Sequence, residues 1–235
     1  MKTRILSISL VVLAMLAASQ PSFAQAYGAA YQSFINTLIT NKIMESSMKN
    51  YPKDNSRKSG SSSASSSSRP PEVPDYRKYP VVQFKPSGTR LILQEYLDGV
   101  TGTSQDKAEA KELVLGILSG YETAAAAKGL PYDLALATVS YIGLNRHVYS
   151  GAEEPIIPFE QNVGLRDVLA ENMTKSGVLA NYSDQKKQEI YEFLVIFGGL
   201  TYQLCDKARK EKNAEELKNC KLASAQNLKF MGIEP

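Results

Sequence analysis

His147, the single histidine of the chain, sits in the one stretch where groups able to do polar chemistry crowd together. Asn145-Arg146-His147 is followed by Tyr149 and then by Glu153 and Glu154. Histidine titrates near neutral pH, and an arginine fork grips carboxylate or phosphate. The cluster reads as a small polar pocket for ligand binding or hydrolysis, built from Arg146, His147, Glu153 and Glu154. A plainer reading competes with it. Arg146 and His147 close an apolar helix, and cations there interact favourably with its partial negative charge.

The two cysteines are the next candidates. Cys205 and Cys220 flank Lys210-Glu211-Lys212-Asn213, where charge is dense and a turn between two helices is expected. In an antiparallel helical hairpin they lie at similar heights, within reach of a disulfide. Closing that loop of about 16 residues is worth roughly 3 kcal/mol on the chain-entropy model. Buried free thiols are the alternative. A redox or metal role lacks the CxxC spacing it would need.

Other chemistry is not signalled. The chain has no GxSxG elbow, no Walker A loop, no GxGxxG after a strand and no HExxH. Ser104-Gln-Asp-Lys107 and Ser183-Asp-Gln-Lys186 match S-x-x-K in letters only, since each Ser stands at a polar helix start. Asn172-Met-Thr174 and Asn181-Tyr-Ser183 are glycosylation sequons, meaningful only in a eukaryotic source. No cofactor and no metal ligand set is expected.

The elements that must position these groups are helices. Apolar residues make up 43% of the 235 and charged residues 22%, which excludes a wholly disordered chain. A charge of +3 is too small to mark a nucleic-acid binder. From about Tyr79 to the C-terminus the punctuation is helical throughout. Ser87 could cap a helix reaching about Asp98. A second spans about Ser104 to Lys128, with Thr103 and Asp106 as a capping pair and Gly129 as a left-handed stop. Pro131 suits the first turn of a third, ending near Val148. Pro158 opens a fourth, carrying Leu165, Val168, Leu169 and Met173, with Gly177 after it. Ser183 caps a fifth, and Ala214–Met231 forms a sixth before Gly232. Val81–Phe84 is the only short strand candidate. The expectation is an all-α bundle of about six helices.

Two of those helices are distinctive. Leu134 to Leu144 carries no charge and is bulky on more than one face, as a buried central helix is. In the fifth, Ile190, Phe193, Phe197, Leu200 and Leu204 form a seam spaced 3, 4, 3, 4. Gly198-Gly199 interrupts it, for close helix approach or a bend rather than for a ligand on bared backbone.

Ahead of the domain the chain changes character three times. Residues 1–24 hold Lys2 and Arg4, a 14-residue uncharged run Ile5–Ala18, and Ser22-Phe23-Ala24, the parts of a secretory signal cleaved after Ala24. The run is short of the ~20 apolar residues a membrane span needs. Its removal lowers the net charge to +1. Residues 25–51 read as an amphipathic helix through Tyr27, Tyr31, Phe34, Ile35, Leu38, Ile39 and Met44. Residues 52–78 are a disordered linker; nine of the 13 residues Ser56–Ser68 are Ser, and Pro70, Pro71 and Pro74 stiffen its exit. Residues 79–235 form the helical domain.

Phe84-Lys-Pro-Ser87, Gly129-Leu-Pro-Tyr-Asp133, Arg166, Ser183-Asp-Gln-Lys-Lys-Gln188-Glu189 and Gly232 occur in an order and spacing that carry a resemblance. Over roughly residues 84–235 the chain resembles a bacterial family of exported, all-helical proteins, a domain of unknown function. Family members usually place Trp in the third helix, where this chain has none. The resemblance implies an exported helical domain and no activity.

Two functions follow. The first is a non-enzymatic binding or structural module of the periplasm or envelope. Residues 27–50 are then available to a protein partner, a second copy or the domain itself. The second is a small-ligand enzyme or hydrolase using Arg146, His147 and Glu153. Neither involves nucleic acid or a membrane span after signal cleavage.

Overall fold

The computed structural model describes residues 34, 35, 38, 78–151 and 159–235. Among them are six α-helices: α1 (Leu93–Gly99), α2 (Ser104–Ala127), α3 (Leu134–Tyr149), α4 (Phe159–Ser176), α5 (Asp184–Lys210) and α6 (Ala214–Phe230). A 3-10 turn, Pro80–Val82, precedes them. The fold is all-α, with no strand among the described residues. Val81–Phe84 does not extend as a strand, because Pro80 starts the tight turn; only Gln83 pairs, in an isolated bridge to Asp133.

Local chemistry sets most of the boundaries. Thr103 and Asp106 form a complete capping box at α2, each side chain accepting the other's backbone N–H. Ser183 caps α5 and Asn213 caps α6 in the simpler way. Gly129 (φ 70°) ends α2 with Leu130 N–H bonded to Ala125 O and its own N–H to Ala126 O. The same pair of bonds closes α5, where Lys212 takes the left-handed conformation at φ 53°.

Two starts differ from expectation. The α3 N-cap is Asp133, two residues beyond Pro131; its carboxylate accepts the Leu136 N–H at 2.8 Å. α1 begins at Leu93 rather than near Ser87, whose hydroxyl turns to Thr89 instead. Its N-cap, Ile92, has no capping side chain. The missing acceptor comes from the fifth helix: Glu192 takes the Leu91 and Ile92 N–H groups at 2.8 and 3.1 Å.

α3 is the central helix. Thirteen of its 16 residues are buried, and α5, α6 and α4 all pack on it, α5 most extensively. α2 packs on α5, and α1 on α2. Polar residues on so enclosed a helix are satisfied locally, with Thr138 Oγ1 donating to Leu134 O and Asn145 Nδ2 to Tyr141 O.

At the glycine pair of α5 two neighbouring helices approach closely. A Cβ at Gly198 would stand 3.4 Å from Tyr141 Cα of α3, and one at Gly199 would run into the Ile117 side chain of α2. Neighbouring α2 and α3 therefore press on adjacent faces of α5, and side-chain-free positions are what allow it.

Candidate functional site

The C-terminal turn of α3 separates the residues expected to act together. Successive helical residues point about 100° apart, so Arg146 is exposed while His147 is buried. The imidazole lies against the Tyr202 ring of α5, with centroids 5.8 Å apart. Tyr149 turns the other way and takes Lys221 Nζ of α6 5.2 Å from its ring centre. Ser150 Oγ donates to His147 O, securing the last turn. Glu153 and Glu154 fall outside the described residues, so the proposed carboxylate partners have no stated position.

Beside this turn lies the disulfide. Cys205 of α5 and Cys220 of α6 are bonded with their Cα atoms 5.7 Å apart, across the turn at Glu211–Asn213. Both are buried and pack with Val148. α5 and α6 thus pack together as the hairpin expected from the cysteine spacing.

A buried ion pair lies elsewhere, and it joins α3 to α4. Asp133 and Arg166 have fully buried side chains and form an ion pair. Arg166 Nε donates to Asp133 Oδ2 at 3.0 Å, a second bond comes from Nη2, and Nη1 reaches Asp167 at 2.7 Å. The guanidinium also sits 5.6 Å from the centre of the Tyr79 ring. Burial pushes the Asp133 carboxyl up from the ordinary carboxylate range, and Arg166 and the Leu136 N–H oppose that push. One sequence signal pointed here. Arg166 occupies the same face of α4 as buried Asn162, Leu169 and Met173, so a charge interrupts an inward stripe.

A second polar system fastens the segment before α1 to α5. Gln188 accepts from Ser87 N at 2.8 Å and donates to Thr89 O at 2.7 Å and to Glu192 at 2.8 Å. Lys187 Nζ donates to Gln83 O at 3.2 Å, and its desolvation lowers the ammonium pKa from the usual lysine value. Arg90, in the same segment, makes a two-pronged pair with Glu122 of α2 at 2.5 and 2.8 Å. Together Lys187, Gln188 and Glu192 hold the ten residues of irregular chain from Gln83 to Ile92.

Between these two systems lies a cluster of aromatic rings. Phe84, Tyr121 and Tyr132 each contact Tyr191, with centroids 5.1, 5.8 and 6.4 Å away. Tyr132 reaches its place through a left-handed backbone, φ 54°, an arrangement that costs energy for a residue with a side chain. Burial raises the Tyr191 and Tyr121 phenols well above their normal value.

A family model, described as a family of unknown function (DUF6683), matches residues 2–235. The chain belongs to this family. No curated protein and no solved structure matches it. The DUF6683 match takes in the N-terminal segment as well as the six helices, so Phe34, Ile35 and Leu38 lie within the same family unit. Among the described residues of this DUF6683 member, no group of three or more His, Cys, Asp or Glu is placed to hold a metal ion. No helix among them is long and apolar enough to cross a membrane.

Proposed function

We propose that the chain is an exported structural or binding module of the bacterial periplasm or envelope, without catalytic chemistry of its own. One observation carries this reading: five buried charged and amide side chains are committed to the fold. Asp133 and Arg166 hold each other, while Lys187, Gln188 and Glu192 hold backbone groups of residues 83–92. A catalytic centre would aim such groups at a reacting atom; here they fix loops and helix ends. Export is supported by Lys2, Arg4, the apolar run and Ser22-Phe23-Ala24. A Cys205–Cys220 disulfide suits an oxidising compartment.

The second reading, a small-ligand or hydrolytic site at Arg146, His147, Glu153 and Glu154, is favoured by the burial of His147 against Tyr202. Complementation of a gene deletion separates the two. A chain carrying Arg146→Ala, His147→Ala and Glu153→Ala should restore function if the module reading holds. Loss of function with an unchanged melting temperature would favour the ligand site. N-terminal sequencing of protein from the periplasmic fraction should begin at Gln25, and an intact Met1 would remove export.

A further inference from the structure

Three described residues of the main core come from the N-terminal segment, far ahead of the six helices. Phe34, Ile35 and Leu38 are helical and fully buried, in the same apolar cluster as Val178, Leu179 and Ile190. Their spacing puts them on one helical face. Phe34 sets its ring against Tyr182, with centroids 6.4 Å apart, just ahead of the α5 cap. Lys186 Nζ stands 4.5 Å from the centre of the same Tyr182 ring. Tyr182 is thus a ring contacted both by an apolar residue from the N-terminal segment and by a cation of the first turn of α5.

Chain connectivity does not dictate this contact. Between Leu38 and Lys78 run 39 residues, including the serine-rich stretch. A chain of that length can reach at most roughly 130–140 Å, against a radius of gyration of about 15 Å for a 155-residue domain. A tether so long leaves Phe34, Ile35 and Leu38 free to bind elsewhere, so their burial reflects complementarity of the surface they fill. A surface complementary to this segment is equally complementary to the identical segment of another molecule.

We propose that the apolar surface beside the α4–α5 turn is a receptor groove for an amphipathic helix. It is filled in cis by the segment around Phe34–Leu38 and takes the same segment from a second copy. Cis occupancy dominates in dilute solution, because the covalent connection raises the segment's effective concentration above that of dilute protein. Exchange follows when the tether is cut or the protein is concentrated beyond that level. This inference stands apart from the proposed function, since it needs neither export nor the absence of catalysis.

The test uses the full chain with a specific protease site inserted after Ser63, cleaved under native conditions. The N-terminal fragment should co-elute with the remainder in size exclusion and be displaced by excess labelled peptide Gln25–Asn50. A peptide with Phe34→Asp, Ile35→Asp and Leu38→Asp should compete at least about tenfold more weakly, the equivalent of 1.4 kcal/mol or more. Tyr182→Ala in the cleaved protein should weaken retention of the native fragment while thermal melting shows the helices still folded. Separation of the fragment from a folded remainder would overturn the groove. Unfolding on cleavage, or equal competition by the aspartate peptide, would equally reject an exchangeable ligand.

Discussion

Replacing Arg166 by methionine tests the account of the α3–α4 junction most directly. The guanidinium and the Asp133 carboxylate are both shut away from solvent. Methionine fills much of the space but leaves Asp133 with one donor, the Leu136 N–H. An uncompensated buried charge costs about 3–5 kcal/mol, a large share of the ~5–15 kcal/mol that holds a domain of this size. Arg166→Met should lower the urea midpoint accordingly with little change in slope. Asp133→Asn should cost less, because asparagine still caps α3 and Asp167 still faces the guanidinium. The double variant should recover most of the loss, giving a coupling of roughly 2–3 kcal/mol within the 0.5–3 range of contacting pairs.

The pH dependence has a definite sign. Without Arg166, burial raises the Asp133 folded-state pKa with only the Leu136 N–H against it, so the native state holds a proton that the unfolded chain has released. Stability is then fully present below the unfolded value near 4 and is lost as pH rises through the folded one. The deficit of Arg166→Met should therefore shrink on acidification from neutral pH. A single variant within 1 kcal/mol of the native protein, or strict additivity in the double, would refute the buried-pair argument.

Four further outcomes follow from the packing. Burial pushes the Tyr96 phenol up to about 12; against an unfolded value near 10 this contributes roughly 2–3 kcal/mol that is present below pH 10 and lost between pH 10 and 12. Near-ultraviolet tyrosinate absorbance should rise for Tyr96, Tyr121 and Tyr191 only as the circular dichroism collapses, and early titration of all 13 tyrosines would contradict their burial. Converting both Cys205 and Cys220 to alanine should cost roughly 3 kcal/mol in denaturant unfolding, and two titratable thiols in the unreduced, denatured protein would remove the bridge. Gly199→Ala should destabilise by about 1–2 kcal/mol despite better helix propensity, because its Cβ meets Ile117. Gly120→Ala, whose Cβ meets nothing within 4 Å, should stabilise by about 0.5–1 kcal/mol.

What the sequence discloses about this fold follows how far each determinant reaches along the chain. Thr103 with Asp106, Gly129, Ser183 and Gly232 act over three to five residues, and each marks its helix end where spacing alone puts it. The uncharged run in α3 and the cysteines about Lys212 needed only a periodicity and a midpoint. The start of α1 was not readable, because its capping acceptor, Glu192, lies 100 residues downstream of Ile92. Ser87 looked like a cap in isolation, yet Gln188 claims its N–H.

The same limit separates the expected site from the buried polar systems. Arg146 and His147 are neighbours in sequence, and helical geometry turns that adjacency into divergence, one exposed and one enclosed. Asp133 and Arg166 are 33 residues apart and meet in the core. Linear clustering is therefore a poor guide to shared chemistry on a helix; a charge inside an apolar stripe is a better one, because burial obliges it to find a partner. By that criterion Arg166 in α4 and Glu192 in α5 were the residues to follow, and both lead to loops and helix ends. The polar interior of this protein is organised to hold irregular chain in place, which is the physical basis for reading it as a module that presents surfaces.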